Sequence, residues 1–317
     1  GGVDRAPAVR RDVRHGAVSC GGWWLDGSGQ VNLTRRLGDR DVFPVGMGAM
    51  TLTQGEGFDS ARGERAVHAA VEAGVTLFDT ADSYGPGEYG VNELVLVTAL
   101  RQCPGALDRV IVATKGGHTR HENATWWIDG SPERLARASR DSAHRLGLDC
   151  LPLYQLHRPD PRVPWIESLG GLRQVYDDGV AMRLGVSNVT EQQLVLAAEV
   201  LGTALVSVQN ELSPVSGYDP AVLRRSALLG LAFLAYGPLG GMRAAKALGS
   251  TRAAFERVAG ERAVSPQRVA IAWALAAGDH VIPIPGASRP ESIIDSACAA
   301  DLNLTRAELD MLGRVPQ

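Results

Sequence analysis

Four residues of this 317-residue chain have the types needed to move a proton at a polarised oxygen: Asp79, Tyr84, Lys115 and His157. Tyr84 follows Asp79 by five positions, and Lys115 and His157 each stand directly after a short apolar run. A tyrosine is ordinarily a poor acid, with a pKa of about 10, but an adjacent ammonium favours the phenolate and lowers that value. At about 4 Å and an effective dielectric of about 20 the attraction reaches about 4 kcal/mol, which predicts a Tyr84 brought toward physiological pH. Asp79 is expected to keep Lys115 charged and oriented, and His157 to hydrogen-bond a substrate oxygen. Lysine is scarce: of 32 basic residues only Lys115 and Lys246 are lysine. Arginine is bulkier and cannot be deprotonated, so a retained lysine points to a site that needs a compact ammonium. Singly, each of the four also fits a loop cap; together they read as a proton donor facing a carbonyl. No redox-active side chain or metal cluster is evident, so the electrons point to a bound hydride carrier.

The elements that must position this set are legible as alternating periods. Eight short runs rich in Val, Ile and Leu read as strands: Val45–Ala49, Val75–Asp79, Val110–Thr114, Leu151–Leu156, Met182–Val186, Ala204–Gln209, Leu231–Tyr236 and Val281–Ile284. Helical periods follow them at Ser60–Ala73, Glu93–Arg101, Pro132–Leu146, Trp165–Asp178, Glu191–Leu201, Pro220–Leu229, Pro266–Ala277 and Pro290–Ala299. The Pro132 helix opens with Ser131 as N-cap and Glu133 in its first turn. Eight βα units over this length predict an α/β fold, the (β/α)8 TIM barrel, spanning 34–317. In a barrel the chemistry sits at the C-terminal strand ends, where Asp79, Lys115 and His157 fall on three consecutive strands. An open doubly wound sheet is disfavoured, because the first βα turn, Met50–Gln54, is not glycine-rich. Gly85-Pro86-Gly87-Glu88-Tyr89-Gly90 matches GxGxxG but does not follow directly on a strand, so it reads as a plain loop.

Composition narrows the remainder. A chain 45% hydrophobic and 21% charged can bury a full core, and a net charge of -3 without a basic block argues against nucleic acid. No apolar stretch is long enough for a membrane span and no export signal is evident, so a soluble cytoplasmic protein is expected. The four cysteines show no CxxC spacing and are expected to be reduced. His118 and His121 form an HxxH, but no further ligand stands in register, so no metal is expected. Residues 1–33 lack an apolar period and read as an N-terminal extension, irregular or with a short hairpin near Asp26–Gly29.

Three segments, Phe78-Asp79-Thr80-Ala81-Asp82-Ser83-Tyr84-Gly85, Ala113-Thr114-Lys115-Gly116-Gly117 and Leu153-Tyr154-Gln155-Leu156-His157-Arg158-Pro159-Asp160, strongly resemble the aldo-keto reductase superfamily. Leu184–Asn188, Val208–Asn210, Ala235–Gly241 and Ile282–Glu291 match in the same order, so the resemblance runs from about residue 35 to the end. It implies Asp79, Tyr84, Lys115 and His157 as the catalytic tetrad, with Tyr84 as general acid. It also implies that Ser187, Asn188 and Gln209 hold a nicotinamide carboxamide, that Tyr236 stacks on the ring, and that Gly237, Leu239 and Gly241 approach the pyrophosphate. Ser288 and Arg289 would meet an adenosine 2'-phosphate, which makes NADPH the expected cofactor. Met50, His118, Trp126 and Trp127 are candidate walls of the substrate pocket. The chain departs from the family pattern at Pro152, expected to alter the seating of His157, at Val97, and at Ser292 and Ser296 near the adenosine end. The implied activity is NADPH-dependent reduction of a small aldehyde or ketone. Two alternatives stay open at this point: an NADP(H)-binding redox-sensing subunit, as among potassium-channel β-subunits, and a cyclase or lyase using the same four residues.

Overall fold

A computed structural model describes residues 34–54, 59–85, 89–120, 126–241 and 253–313. The expected extension, with its hairpin near Asp26–Gly29, lies outside them, as do His121 and the middle of the Gly85–Gly90 loop. In chain order the strands are β1 (Arg35–Leu37), β2 (Arg40–Val42), β3 (Met47–Gly48), β4 (Leu77–Asp79), β5 (Ile111–Gly116), β6 (His118–Arg120) and β7 (Trp126–Ile128). There follow β8 (Leu153–Leu156), β9 (Leu184–Ser187), β10 (Leu205–Ser213), β11 (Gly217–Tyr218), β12 (Ala232–Tyr236) and β13 (Val281–Pro283).

Eight of these pair in parallel, in the order β3-β4-β5-β8-β9-β10-β12-β13, and each contains or overlaps one of the eight apolar runs. The sheet closes on itself through a parallel bridge between Gly48 and Gly286, with Gly46 N donating to Pro283 O and Gly48 N to Pro285 O. Closure needs a glycine there, because a Cβ on Gly48 would come within 2.8 Å of the Ile284 carbonyl oxygen. The result is the (β/α)8 fold.

Helix ends follow their local chemistry. Pro132–Leu146 starts on Ser131, whose hydroxyl accepts from Arg134 N, and stops at left-handed Gly147. Glu191–Leu201 opens on a full capping box between Thr190 and Gln193. Val97 is buried between the helices and the sheet. Among the described residues three α-helices carry no counterpart among the expected ones, Ala106–Arg109, Ala253–Arg262 and Arg306–Leu312. None of the described helices is long and apolar enough to cross a membrane.

The barrel interior is filled at its N-terminal end by Leu77, Ile111, Val206, Ala232 and Ile282, and Leu37 and Val42 pack into the same cluster. Those two residues belong to the antiparallel β1–β2 hairpin, which therefore plugs the bottom of the barrel. Only the opposite mouth is left for chemistry. A second antiparallel hairpin, β6–β7, pairs His118–Arg120 with Trp126–Ile128. Pro152 does not disturb its strand: β8 begins one residue later, and His157 N still donates to Gly116 O at 2.9 Å. Among the described residues Cys103 and Cys150 are free thiols.

Candidate active site

Asp79 closes β4, Lys115 lies one residue before the end of β5, and His157 follows β8, so neighbouring strands deliver all three to the mouth. Tyr84 arrives on the loop after β4. That loop stays close to the sheet, with Thr80 N donating to Ala113 O and Asp82 N to Lys115 O. Buried Asn92 pins it, accepting from the Thr80 hydroxyl and donating to Ala49 O and Thr53 Oγ1. Lys115 is fully buried and its ammonium has three acceptors: Asp79 Oδ2 at 2.6 Å, Thr80 O at 2.9 Å and Tyr84 Oη at 3.1 Å. The four sequence candidates thus form one cluster. His157 packs edge-on to Tyr84, with ring centroids 5.5 Å apart, and to His118 at 4.8 Å.

Burial decides the electrostatics. It alone would discharge Lys115, but the Asp79 carboxylate and the Tyr84 oxygen reverse this and hold the lysine above its ordinary value. For Tyr84 burial also dominates and raises the phenol above 10.0, outweighing the downward pull of Lys115, while Asp79 and Asp82 push the same way as burial. The expectation of a Tyr84 brought toward physiological pH is therefore corrected: a desolvated phenolate is costly, and Lys115 shares its charge with Asp79. His157 lies well below 6.5 through burial first and Lys115 second, so it is a neutral imidazole, and its Nδ1 has no hydrogen-bond partner.

A cavity of about 430 Å3 opens on this cluster. Its walls include Asp79, Tyr84, His157, Met50 and His118, and on the other side Ser187, Asn188, Gln209, Tyr236, Gly237, Leu239 and Gly241. The second group is already knit together. Ser187 Oγ donates to Gln209 O, left-handed Asn188 donates through Nδ2 to His157 O, and Tyr236 Oη donates to Asn188 Oδ1 at 2.7 Å. Gln209 Nε2 donates to Asp79 Oδ1 at 2.7 Å, leaving its own Oε1 toward other donors. The turn after Tyr236 is left-handed at Gly237, Gly240 and Gly241, and a side chain on Gly241 would meet nothing within 4 Å, so its backbone is open to a large anion.

Three candidates stand apart. Ser288 and Arg289 do not line the cavity, and Arg289 lies exposed before the helix Pro290–Ala297 with Nη2 donating to Ser292 Oγ at 3.3 Å. Ser296 Oγ donates to Ser292 O in the same helix. Trp127 is 41% exposed, and the Arg162 guanidinium lies 3.8 Å from its ring centroid. It stacks on the outer face of the β6–β7 hairpin and is not among the residues lining the cavity. Arg162 also pairs with Asp160 and donates to Ile128 O, which clamps the hairpin to the loop after β8. The side chain of Trp126 lies outside the described residues. Sequence reasoning missed Arg158 and Glu211, which line the cavity, and Gln155, which touches Asp79 from within the barrel. The signal for Gln155 was its inward phase in β8 between Leu153 and His157.

A model of the aldo/keto reductase family matches residues 44–315. The 6-dehydroglucose reductase of Novosphingobium aromaticivorans is 32% identical over 279 residues, covering 84% of this chain and 89% of that protein. Among solved structures, the glycerol dehydrogenase of Gluconobacter oxydans superposes with a TM-score of 0.78 at 27% identity, covering 90% of this chain and 95% of that one. An aldo-keto reductase from Klebsiella pneumoniae in complex with NADPH superposes with a TM-score of 0.74 at 24% identity, covering 89% and 94%.

Proposed function

The chain belongs to the aldo/keto reductase family and is an oxidoreductase, and from that premise we propose that it reduces an aldehyde or ketone to the alcohol with NADPH, with Tyr84 as the general acid. One observation carries the reading: the buried Lys115 ammonium bridges the Asp79 carboxylate and the Tyr84 phenol at the wall of the cavity. Tyr84 gives its proton to the carbonyl oxygen as that oxygen acquires negative charge, and Lys115 stabilises the phenolate that remains. A phenol held above its ordinary pKa stays protonated at neutral pH, so the acid is present in every molecule. His157, a neutral imidazole, has one N–H to donate, and donating it to the carbonyl oxygen aligns that oxygen with Tyr84.

The cavity walls fit a nicotinamide nucleotide, which when bound supplies the hydride that completes the reduction. Ser187, Asn188 and Gln209 would hold the carboxamide, with Gln209 Oε1 as acceptor because its Nε2 is committed to Asp79. Tyr236 would offer its ring face, kept in place by its bond to Asn188. Backbone amides of Gly237, Leu239 and Gly241 would take the pyrophosphate, and Ser288 and Arg289 the 2'-phosphate. Met50 and His118 would border the substrate. The Klebsiella relative's complex with NADPH and the Gluconobacter and Novosphingobium relatives' names, a dehydrogenase and a reductase, agree with this reading.

The test is turnover. Purified protein should consume NADPH with 4-nitrobenzaldehyde and release the benzyl alcohol, and Tyr84→Phe should lose turnover while retaining NADPH binding. Unchanged turnover in Tyr84→Phe defeats the acid assignment.

A further inference from the structure

We propose that Gln155 is a positioning residue for the proton donor, fixing the Asp79 carboxylate so that Lys115 stays aimed at Tyr84. This rests on the reading of Tyr84 as the acid.

Asp79 is 3% exposed and both of its oxygens are occupied. Oδ2 accepts from Lys115, and Oδ1 accepts two amide N–H groups, from Gln209 at 2.7 Å and from Gln155 at 3.2 Å. With both ends held, the carboxylate cannot turn about its Cβ–Cγ bond. The two amides differ in what else they do. Gln209 lines the cavity and is committed to the cofactor in the proposed function, so its bond to Asp79 is exposed to every binding and release event. Gln155 is fully buried, is not among the residues lining the cavity, and faces Asp79 from beneath. Its bond is available throughout turnover.

The surroundings are cut to admit this side chain. In register Gln155 stands between Lys115 on β5 and Gly185 on β9. A Cβ on Gly185 would fall 2.9 Å from Gln155 Cγ and 3.0 Å from Oε1, so only glycine leaves room for the amide. Gln155 Oε1 itself has no hydrogen-bond partner. Burying an amide with an unpaired carbonyl is costly, whereas an apolar residue in a barrel interior costs nothing of the kind. The amide orientation is the one that avoids placing Oε1 against the Asp79 carboxylate.

The test uses the full chain, NADPH and 4-nitrobenzaldehyde, with Gln155→Leu and the length-preserving Gln155→Met. Both variants should keep a cooperative thermal melt and bind NADPH, followed by fluorescence quenching, within about twofold of the parent, while kcat falls roughly ten- to a hundredfold. The KM for 4-nitrobenzaldehyde should stay within about twofold of the parent, so that the loss falls on kcat alone. In an Asp79→Asn background the same substitutions should change kcat by less than about twofold, since the residue through which they act is already altered. A parent-like kcat, a loss carried by KM instead of kcat, or a full further loss in the Asp79→Asn background overturns the proposal. Should Gln155→Leu fail to fold, Gln155→Met decides by the same criteria. Tyr84→Phe separates the two levels: if it is fully active the acid reading falls, whereas an inactive Tyr84→Phe beside a parent-like Gln155→Leu removes the positioning role alone.

Discussion

The Lys115 ammonium lies 3.1 Å from the Tyr84 hydroxyl, yet the phenol holds its proton more tightly than a free tyrosine does. Proximity alone does not produce an acidic phenol when the same burial that brings the charges together also strips water from the phenolate. In the proposed reaction Lys115 would limit the cost of a buried phenolate at the moment of proton loss. It does not produce an ionised tyrosine in the resting protein.

Removing the ammonium should therefore damage both chemistry and fold. Lys115→Met leaves the buried Asp79 with one oxygen unpaired. The expected loss is about 3–5 kcal/mol of stability, read from denaturant unfolding, because a buried carboxylate is left without its counter-charge. The kcat for carbonyl reduction should fall by about 10² to 10⁴, the range associated with a positioned general acid. Retention of more than about half of the parent kcat would contradict the role given to Lys115.

The pH dependence follows from two opposite shifts. Tyr84 is raised above 10.0, so reduction should show no alkaline loss attributable to this phenol until beyond 10.0, whereas alcohol oxidation, which needs the phenolate as base, should keep rising with pH through the same range. His157 is lowered well below 6.5, so it stays neutral in the folded protein where an unfolded histidine already binds a proton. The unfolded state then takes up more protons, and stability from this group is complete above 6.5 and declines as pH falls beneath it. Initial rates in both directions and melting temperatures across the acid range check the two halves separately. A reductive rate that halves between neutral pH and 9 in Tyr84-dependent fashion contradicts the first.

How far could this have been read beforehand? The tetrad was legible because each strand's apolar run stops on a polar residue, and the barrel forces those stops to one rim. The β1–β2 and β6–β7 hairpins were not, since three-residue strands carry no period and are held by what they touch: Leu37 and Val42 by the barrel floor, Trp127 by Arg162. The proton affinity of Tyr84 was misjudged because burial is a tertiary property, and a contact inferred from spacing contains the attraction without the desolvation. Gln155 sat in plain view within Leu153–His157, but its value depends on Gly185 and Asp79, thirty and seventy-six residues away.

Asp82 offers a test of the same burial argument two residues from Tyr84. It is 1% exposed, its Oδ1 has no partner, and Arg134 Nη2 approaches Oδ2 only to 3.4 Å. Burial, followed by the nearby Glu93 carboxylate, raises it from 3.8 to about 8, against the pull of Arg134 and Arg145. The folded protein thus keeps a proton that the unfolded chain releases near 3.8, so this contribution to stability is full below 3.8 and is lost as pH rises through about 8. Asp82→Asn, which copies the protonated form, should match the parent's melting temperature below 3.8 and exceed it by a margin that grows as pH rises to about 8. A variant that melts below the parent at both values would show that the carboxylate is needed as an anion.

The cofactor's phosphate end makes the most selective claim. Arg289 is exposed and donates to a neutral hydroxyl, Ser292 Oγ, so no carboxylate competes for it in this bond. A guanidinium fork placed at the start of the helix Pro290–Ala297 can take two oxygens of a phosphate dianion, but a ribose hydroxyl gives it no charge to pair with. Charged hydrogen bonds of this kind are worth about 1.5–3 kcal/mol, so Arg289→Ala should weaken NADPH binding by roughly ten- to a hundredfold and leave NADH binding within about twofold. Fluorescence titration of both nucleotides against parent and variant reads the ratio directly. Equal losses for the two would place Arg289 away from the 2'-phosphate, and unchanged binding of both would remove it from the cofactor site altogether.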